Sequence, residues 1–216
     1  MNLLFDLDGT LTDPFPGITN SILHSLTQLD RPLPERNSLK WCIGPPLQKS
    51  FAQLLDTEDT KLIDSAVAYF RQYFSTNGLY ENAVYEGVLP ALKHLRSQGY
   101  PLFIATSKPE IYAKKILDHF ELTALFTGIH GSELNGIRSD KSDLLRHLLK
   151  HQRLSPQACV MLGDREHDMI GARKNGIKSV GVLWGYGSRN ELMAAGADSC
   201  LEFTDQLISG SWNDAK

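Results

Sequence analysis

The feature that most limits how this chain can fold is an alternation of short apolar runs with stripes of helical spacing. Leu3-Leu4-Phe5, Leu102-Phe103-Ile104-Ala105, Val160-Met161-Leu162 and Val180-Gly181-Val182-Leu183 each read as a buried strand. Between them, Val88, Leu92 and Leu95 recur at helical spacing, with Gly99 as a C-terminal stop. Tyr112, Ile116 and Phe120 repeat the pattern after Pro109, which suits a first helical turn. Leu144, Leu145, Leu148 and Leu149 make a third stripe. A fourth runs from Asp168 to Asn175, with Arg173 and Lys174 in its last turn and Gly176 just past it. Strands alternating with helices predict an α/β protein built on a doubly wound, mostly parallel sheet.

One stretch breaks the alternation. From Pro14 to Asn82 there are helical patterns and no strand signal: Ile18, Ile22, Ser25, Leu26 and Leu29 share one face, and Leu62, Ile63, Ala66, Phe70 and Phe74 another. Pro14 and Pro16 mark its start; Asn77-Gly78 and Tyr85-Glu86-Gly87 mark its end. The expected organisation is a Rossmann-like core, residues 1–13 and 83–216, with an all-helical cap inserted at 14–82. Ligands of such sheets bind at the carboxyl ends of the strands, so an insertion directly after the first strand is expected to act as a lid. Residues 209–216 read as a loose tail.

Composition narrows the partners. The chain of 216 residues is 42% hydrophobic and 22% charged with a net charge of −3, which gives no support for nucleic acid or a membrane surface. An acidic protein that binds an anion must gather positive charge locally. Cys42, Cys159 and Cys200 are odd in number and far apart, which argues against a disulfide framework or zinc site and for a reducing compartment. Asp6 and Asp8 interrupt the apolar start, which therefore does not read as a signal peptide, and a cytoplasmic location is expected.

Four strand ends carry chemistry. In Asp6-Leu7-Asp8-Gly9-Thr10, two carboxylates two residues apart on extended backbone point to one side, and Gly9 allows a tight turn and close ligand approach. In Thr106-Ser107-Lys108-Pro109, a strand ends in hydroxyls just before a helix, an arrangement that suits an anion or an ordinary helix cap. Lys141 follows Asp140 in a first helical turn, where the macrodipole disfavours a cation. In Gly163-Asp164-Arg165-Glu166-His167-Asp168, acids four apart follow a strand and can meet a metal or simply complement a helix N-terminus.

In this order, the four motifs resemble the haloacid-dehalogenase-like hydrolase superfamily, and the helical insertion resembles its phosphoglycolate-phosphatase-like branch. The resemblance covers nearly the whole chain. It implies Asp6 as nucleophile, Asp8 as general acid–base, Thr106 as a phosphate-binding hydroxyl and Lys141 as the lysine that steadies both. Gly9, Thr10 and Ser107 would help to hold the phosphate. Asp6, Asp8, Asp164 and Asp168 would surround Mg2+. Two positions depart from the pattern: Ser142 stands where Pro often follows the lysine, and Arg165 where Ser or Thr is usual. Arg165 could put a cation near the substrate.

Those residue types suit phosphate transfer. A carboxylate and a phosphate charge about 4 Å apart repel by roughly 4 kcal/mol at an effective dielectric near 20, so attack requires cancelling charge. Magnesium accepts carboxylates, waters and phosphate oxygens together. The expected partner is a small phosphate ester, phosphoglycolate first and a nucleoside 5′-monophosphate second, acted on by a monomer or homodimer. The Ile43-Gly44-Pro45-Pro46-Leu47 turn is expected either to face the substrate or only to connect helices. Lys40, Lys49 and Arg71 could offer a second anion site or simply be solvated. A phosphomutase of the same fold is one rival. A response-regulator receiver is another, disfavoured because receivers lack a helical cap and carry their phospho-acceptor on a later strand. A dehalogenase has no need of Asp8.

Overall fold

The computed structural model describes residues 1–210 and 212. The chain begins with β1 (Asn2–Phe5) and β2 (Thr12–Asp13) and then enters a helical stretch. This stretch holds α1 (Phe15–Gln28), a 3-10 segment (Arg36–Cys42), α2 (Leu47–Leu54) and α3 (Thr60–Tyr73). The α/β pattern resumes with β3 (Ala83–Val84), α4 (Val88–Ser97), β4 (Leu102–Pro109), α5 (Glu110–His119), β5 (Gly128–Ser132) and α6 (Lys141–Gln152). It continues through β6 (Cys159–Gly163), α7 (Glu166–Lys174), β7 (Lys178–Val182), α8 (Arg189–Ala195), β8 (Ser199–Leu201) and α9 (Gln206–Ser209).

Two compact units result: Met1–Asp13 with the chain from Val84 on, and Pro14–Ala83. In the first, six parallel strands form one sheet in the order β5-β4-β1-β6-β7-β8. This is the doubly wound α/β arrangement. The direction of winding reverses between β1 and β6, and such reversals open a crevice at the carboxyl ends of the strands. Leu3, Leu4 and Phe5 are fully buried because β1 lies at the centre with helices on both faces, and each contributes about 1.5–3 kcal/mol. The Leu145, Leu148 and Leu149 stripe of α6 packs on Leu4, Phe103 and Met161.

The helical unit holds no strand between residues 14 and 82. Ile18, Ile22, Ser25 and Leu26 of α1 are buried, as are Ile63, Ala66 and Phe70 of α3. Gly17 allows the chain to close tightly, since a Cβ there would lie 2.0 Å from the Gly78 carbonyl oxygen. Within this unit Phe70 stacks on Phe74 and meets Phe51 edge-on. Among the described residues, no helix is long and apolar enough to cross a membrane.

Three expectations need correction. Pro109 is not in a helical turn: with φ −53° and ψ 128° it ends β4 and caps α5. Strands β5 and β8 were not expected, because Gly128-Ile129-His130-Gly131-Ser132 and Ser199-Cys200-Leu201 lack an apolar run. Trp212 is no part of a loose tail: it is buried, its Nε1 donates to Leu207 O at 2.9 Å, and its ring packs edge-on against Tyr100. Residues 211 and 213–216 lie outside the described residues.

One core residue makes stability depend on pH. His130 of β5 is 6% exposed, and burial pushes its pKa down to about 4. Glu110 opposes that shift, while His151, His147 and Lys114 reinforce it. The folded protein therefore keeps His130 neutral in a range where the unfolded chain takes up a proton. As pH falls from about 6.5 to about 4, this one group should remove up to roughly 3 kcal/mol of folding stability. Urea unfolding at pH 7 and pH 4.5 checks this, and His130→Gln should flatten the difference.

Candidate active site

Asp6 follows β1, and its amide continues the ladder by donating to Leu162 O at 2.9 Å. Asp164 and Asp168 follow β6 on the other side of the winding reversal, so the fold brings together acids some 160 residues apart in sequence. One carboxylate oxygen from each of Asp6, Asp164 and Asp168 lies within 4.8 Å of the others, and all three residues are buried. Asp164 is 0% exposed, and burial raises its pKa well above the carboxylate range, reinforced by Asp168 and Asp6. Asp168 is raised by burial too, against the pull of Lys141.

Lys141 supplies the counter-charge. Asp140 caps α6, its Oδ1 accepting from the amides of Ser142 at 2.8 Å and Asp143 at 3.2 Å, and this sets Lys141 as the first residue of the helix. Its ammonium lies 2.7 Å from Asp168 Oδ1 and 3.2 Å from Asp6 Oδ1, and donates to Ala105 O at 2.8 Å. Lys141 is 4% exposed, and burial works against its charge. The Asp168 and Asp6 carboxylates outweigh that, so its pKa sits above the usual lysine range. Gly171 of α7 leaves room for the lysine stem, since a Cβ there would lie 2.8 Å from Lys141 Cγ.

One cation is too few for three buried carboxylates, and the raised pKa values of Asp164 and Asp168 express the cost of ionising them without further positive charge. The ligand atoms are hard oxygens and the space among them is small, which fits a divalent cation such as magnesium and not a thiol- or imidazole-seeking metal. The surroundings hold Asp164 tightly. Tyr186 N donates to Asp164 Oδ2 at 2.8 Å, and Thr10 Oγ1 lies 3.4 Å from Asp164 Oδ1. A Cβ on Gly9 would fall 2.1 Å from Asp164 Oδ2, and one on Gly185 would fall 2.4 Å from Asp164 Cβ.

The sequence-derived candidates do not all occupy the positions expected of them. The Asp8 carboxylate lies outside the acidic trio because its Oδ2 is ion-paired with the Lys108 ammonium. Burial nonetheless raises the pKa of Asp8, more than Lys108 lowers it. The Gly9 amide donates to Thr12 O at 2.8 Å, so the role of Gly9 here is steric and it does not cradle an anion through that amide. Thr106 is buried at the irregular end of β4, where pairing with β5 shifts register, and its Oγ1 accepts from Lys108 N at 3.3 Å. Ser107 is half-buried next to it. Arg165 directs its Nε to Glu191 Oε1 at 2.8 Å and so ties α7 to α8.

Two participants were missed. Lys108 lay inside a motif already singled out, and its charge beside two acids on the neighbouring strand was the available signal. The loop Trp184-Gly185-Tyr186-Gly187 was passed over, although paired glycines directly after a strand mark close backbone approach. In it, Trp184 Nε1 donates to Thr10 O at 2.9 Å, and the Tyr186 hydroxyl bonds Asp13.

Residues 3–182 match the family model described as haloacid dehalogenase-like hydrolase. The chain belongs to that family. Among its relatives, a 5′-nucleotidase of Pseudomonas aeruginosa is 44% identical over 193 residues, covering 89% of this chain and 87% of the relative. A phosphoglycolate phosphatase of Colwellia psychrerythraea is 27% identical over 215 residues, covering 96% and 95%. The crystal structure of a predicted phosphatase from Clostridium acetobutylicum is 41% identical, covers 96% of each chain and superposes with a TM-score of 0.92. These relatives place this haloacid dehalogenase-like chain in the branch that includes phosphoglycolate phosphatases.

Proposed function

We propose that this chain, a phosphoric monoester hydrolase of the haloacid dehalogenase-like family, releases phosphate from nucleoside 5′-monophosphates with Mg2+ and a phosphorylated Asp6. The observation that carries the reading is the position of the Asp6 carboxylate. It stands at the end of the central strand, 3.2 Å from the Lys141 ammonium and grouped with two further buried acids.

Asp6, Asp164 and Asp168 would hold Mg2+, whose charge offsets the repulsion between a phosphate dianion and the carboxylates. Asp6 attacks phosphorus in line, and the bond from phosphorus to the ester oxygen breaks. Asp8 gives its proton to the departing alcohol. A water then attacks the aspartyl phosphate, and Asp8, now ionised, takes its proton, which frees Asp6 and inorganic phosphate. Lys141 holds Asp6 in place from behind, and the Thr106 hydroxyl and the strand-end amides near Ser107 are suited to the phosphate oxygens.

Burial favours the protonated form that Asp8 needs for the first step and outweighs Lys108, whose ammonium occupies Oδ2 and leaves Oδ1 to carry the proton. Asp8→Asn should therefore lower kcat by about 10²- to 10⁴-fold with little change in KM. Steady-state kinetics with a nucleotide and with an aryl phosphate check this, and the aryl ester, whose leaving group needs no proton, should suffer less.

The higher identity to the nucleotidase supports a nucleotide over phosphoglycolate, the reverse of the order read from the sequence. The test is phosphate release from a panel of nucleoside 5′-monophosphates, phosphoglycolate and hexose phosphates, with Mg2+ and then with a chelator. A nucleotide should exceed phosphoglycolate in kcat/KM by about tenfold or more. The opposite ranking would overturn the substrate, and no Mg2+-dependent release from any ester would overturn the whole reading.

A further inference from the structure

Three histidines gather apart from the acidic trio, where β5 meets the C-terminal half of α6. His130 stands on β5 and is buried, while His147 and His151 are exposed on successive turns of α6, four residues apart. Their ring centroids are 5.5 Å apart for His130 and His151, 6.2 Å for His130 and His147, and 5.7 Å for His147 and His151.

Gln152 shows where two of these rings point. Its side-chain nitrogen lies 3.0 Å from His130 Nε2 and 3.4 Å from His151 Nδ1. In the tautomers that leave these two nitrogens unprotonated, both accept from this one NH2 group and so direct lone pairs at a single atom. Lone pairs of two imidazoles converging on one electropositive centre are half of a tetrahedral metal site. Gly128 makes room for this meeting of Gln152 and His130. A Cβ on Gly128, two residues before His130 on the same face of β5, would lie 3.0 Å from Gln152 Nε2 and 3.1 Å from His130 Nε2. Glu110 and Glu133 bring negative charge to the cluster and Arg138 and Lys114 bring positive, so neither sign dominates around it.

We infer that His130, His147 and His151 form a binding site for a divalent transition metal of the zinc class, separate from the acidic trio. Gln152 turns aside, and the two exposed histidines swing inward to nitrogen–metal distances of about 2.0–2.1 Å, with water as the fourth ligand. Imidazole nitrogens select zinc, nickel or copper, whereas the oxygen ligands around Asp164 suit magnesium, so the two sites sort metals by ligand chemistry. A metal here ties the last turns of α6 to β5, at the opposite end of the helix that begins with Lys141.

The test titrates Zn2+ into the intact chain with excess Mg2+ present, by calorimetry, and repeats it with Co2+, whose visible absorption reports tetrahedral nitrogen ligands. Zn2+ can also compete at the oxygen site, so Asp164→Asn is titrated in parallel. Wild type and Asp164→Asn should both retain one equivalent with the Co2+ bands. His147→Ala/His151→Ala should weaken it by more than the roughly 10- to 100-fold that loss of an outer partner costs. Mg2+-dependent phosphate release by that double variant should be unchanged. Undiminished zinc affinity in the double variant would overturn the inference, as would loss of all zinc binding in Asp164→Asn. His130→Gln should weaken binding as well. If that buried change prevents folding, the exposed pair still decides.

Discussion

Replacing Asp6 with Asn is expected to end phosphate release while leaving the fold in place. Asn keeps the shape and the hydrogen bond from the Leu7 amide at 2.8 Å, but its amide cannot form an acyl phosphate. Loss of a nucleophile costs on the order of 10⁴-fold or more in kcat. The fold survives because the substitution removes one of three clustered buried acids while Lys141 keeps Asp168 as a partner. The circular dichroism spectrum and melting temperature of the variant should match the wild type or exceed it. Brief incubation with a phosphate-labelled ester should label the wild type and leave the variant unlabelled. Activity within tenfold of wild type would remove Asp6 from the role.

Lys141→Met should do the reverse, damaging stability together with activity. The lysine is the only cation that touches both Asp6 and Asp168 among the described residues, and taking one partner from a buried ion cluster costs about 3–5 kcal/mol. The cost should shrink at pH 5, because Asp168, whose pKa burial already raises to about 6, escapes it by taking up a proton, and grow as pH rises and it ionises. Added Mg2+ should recover part of the stability, since a cation among the same oxygens replaces the missing charge. Urea unfolding at two pH values, with and without Mg2+, measures all three effects. A variant as stable as wild type at pH 8 without Mg2+ would show that Lys141 is not the counter-charge described here.

The four strand ends were legible because each combines an apolar run with polar residues that have no reason to be there in a core. Period and composition are local properties, and β1, β4, β6 and β7 express both. What the sequence hid depended on partners distant along the chain. β5 is held by pairing with β4 and by α6, so Gly128, His130 and Gly131 serve as a strand despite poor local propensity. The ion pair of Lys108 with Asp8 spans a hundred residues, and only the neighbouring of β1 and β4 reveals it. Arg165 looked like a free cation because Glu191, which receives it, lies on a helix two elements later. Trp212 looked like tail because nothing in the preceding residues announces that Tyr100 waits for its ring.

The placement of β1 bears on how the protein is made. β1 precedes the other five strands of the sheet in the chain yet lies between β4 and β6, which begin at Leu102 and Cys159. Tyr186, whose amide secures Asp164, arrives later still. A growing chain therefore presents Asp6 well before the residues that would let it act on a phosphate ester. On the proposed mechanism, reactivity toward phosphate esters should wait until Tyr186 has been added, so fragments that stop before it should be inert toward such esters.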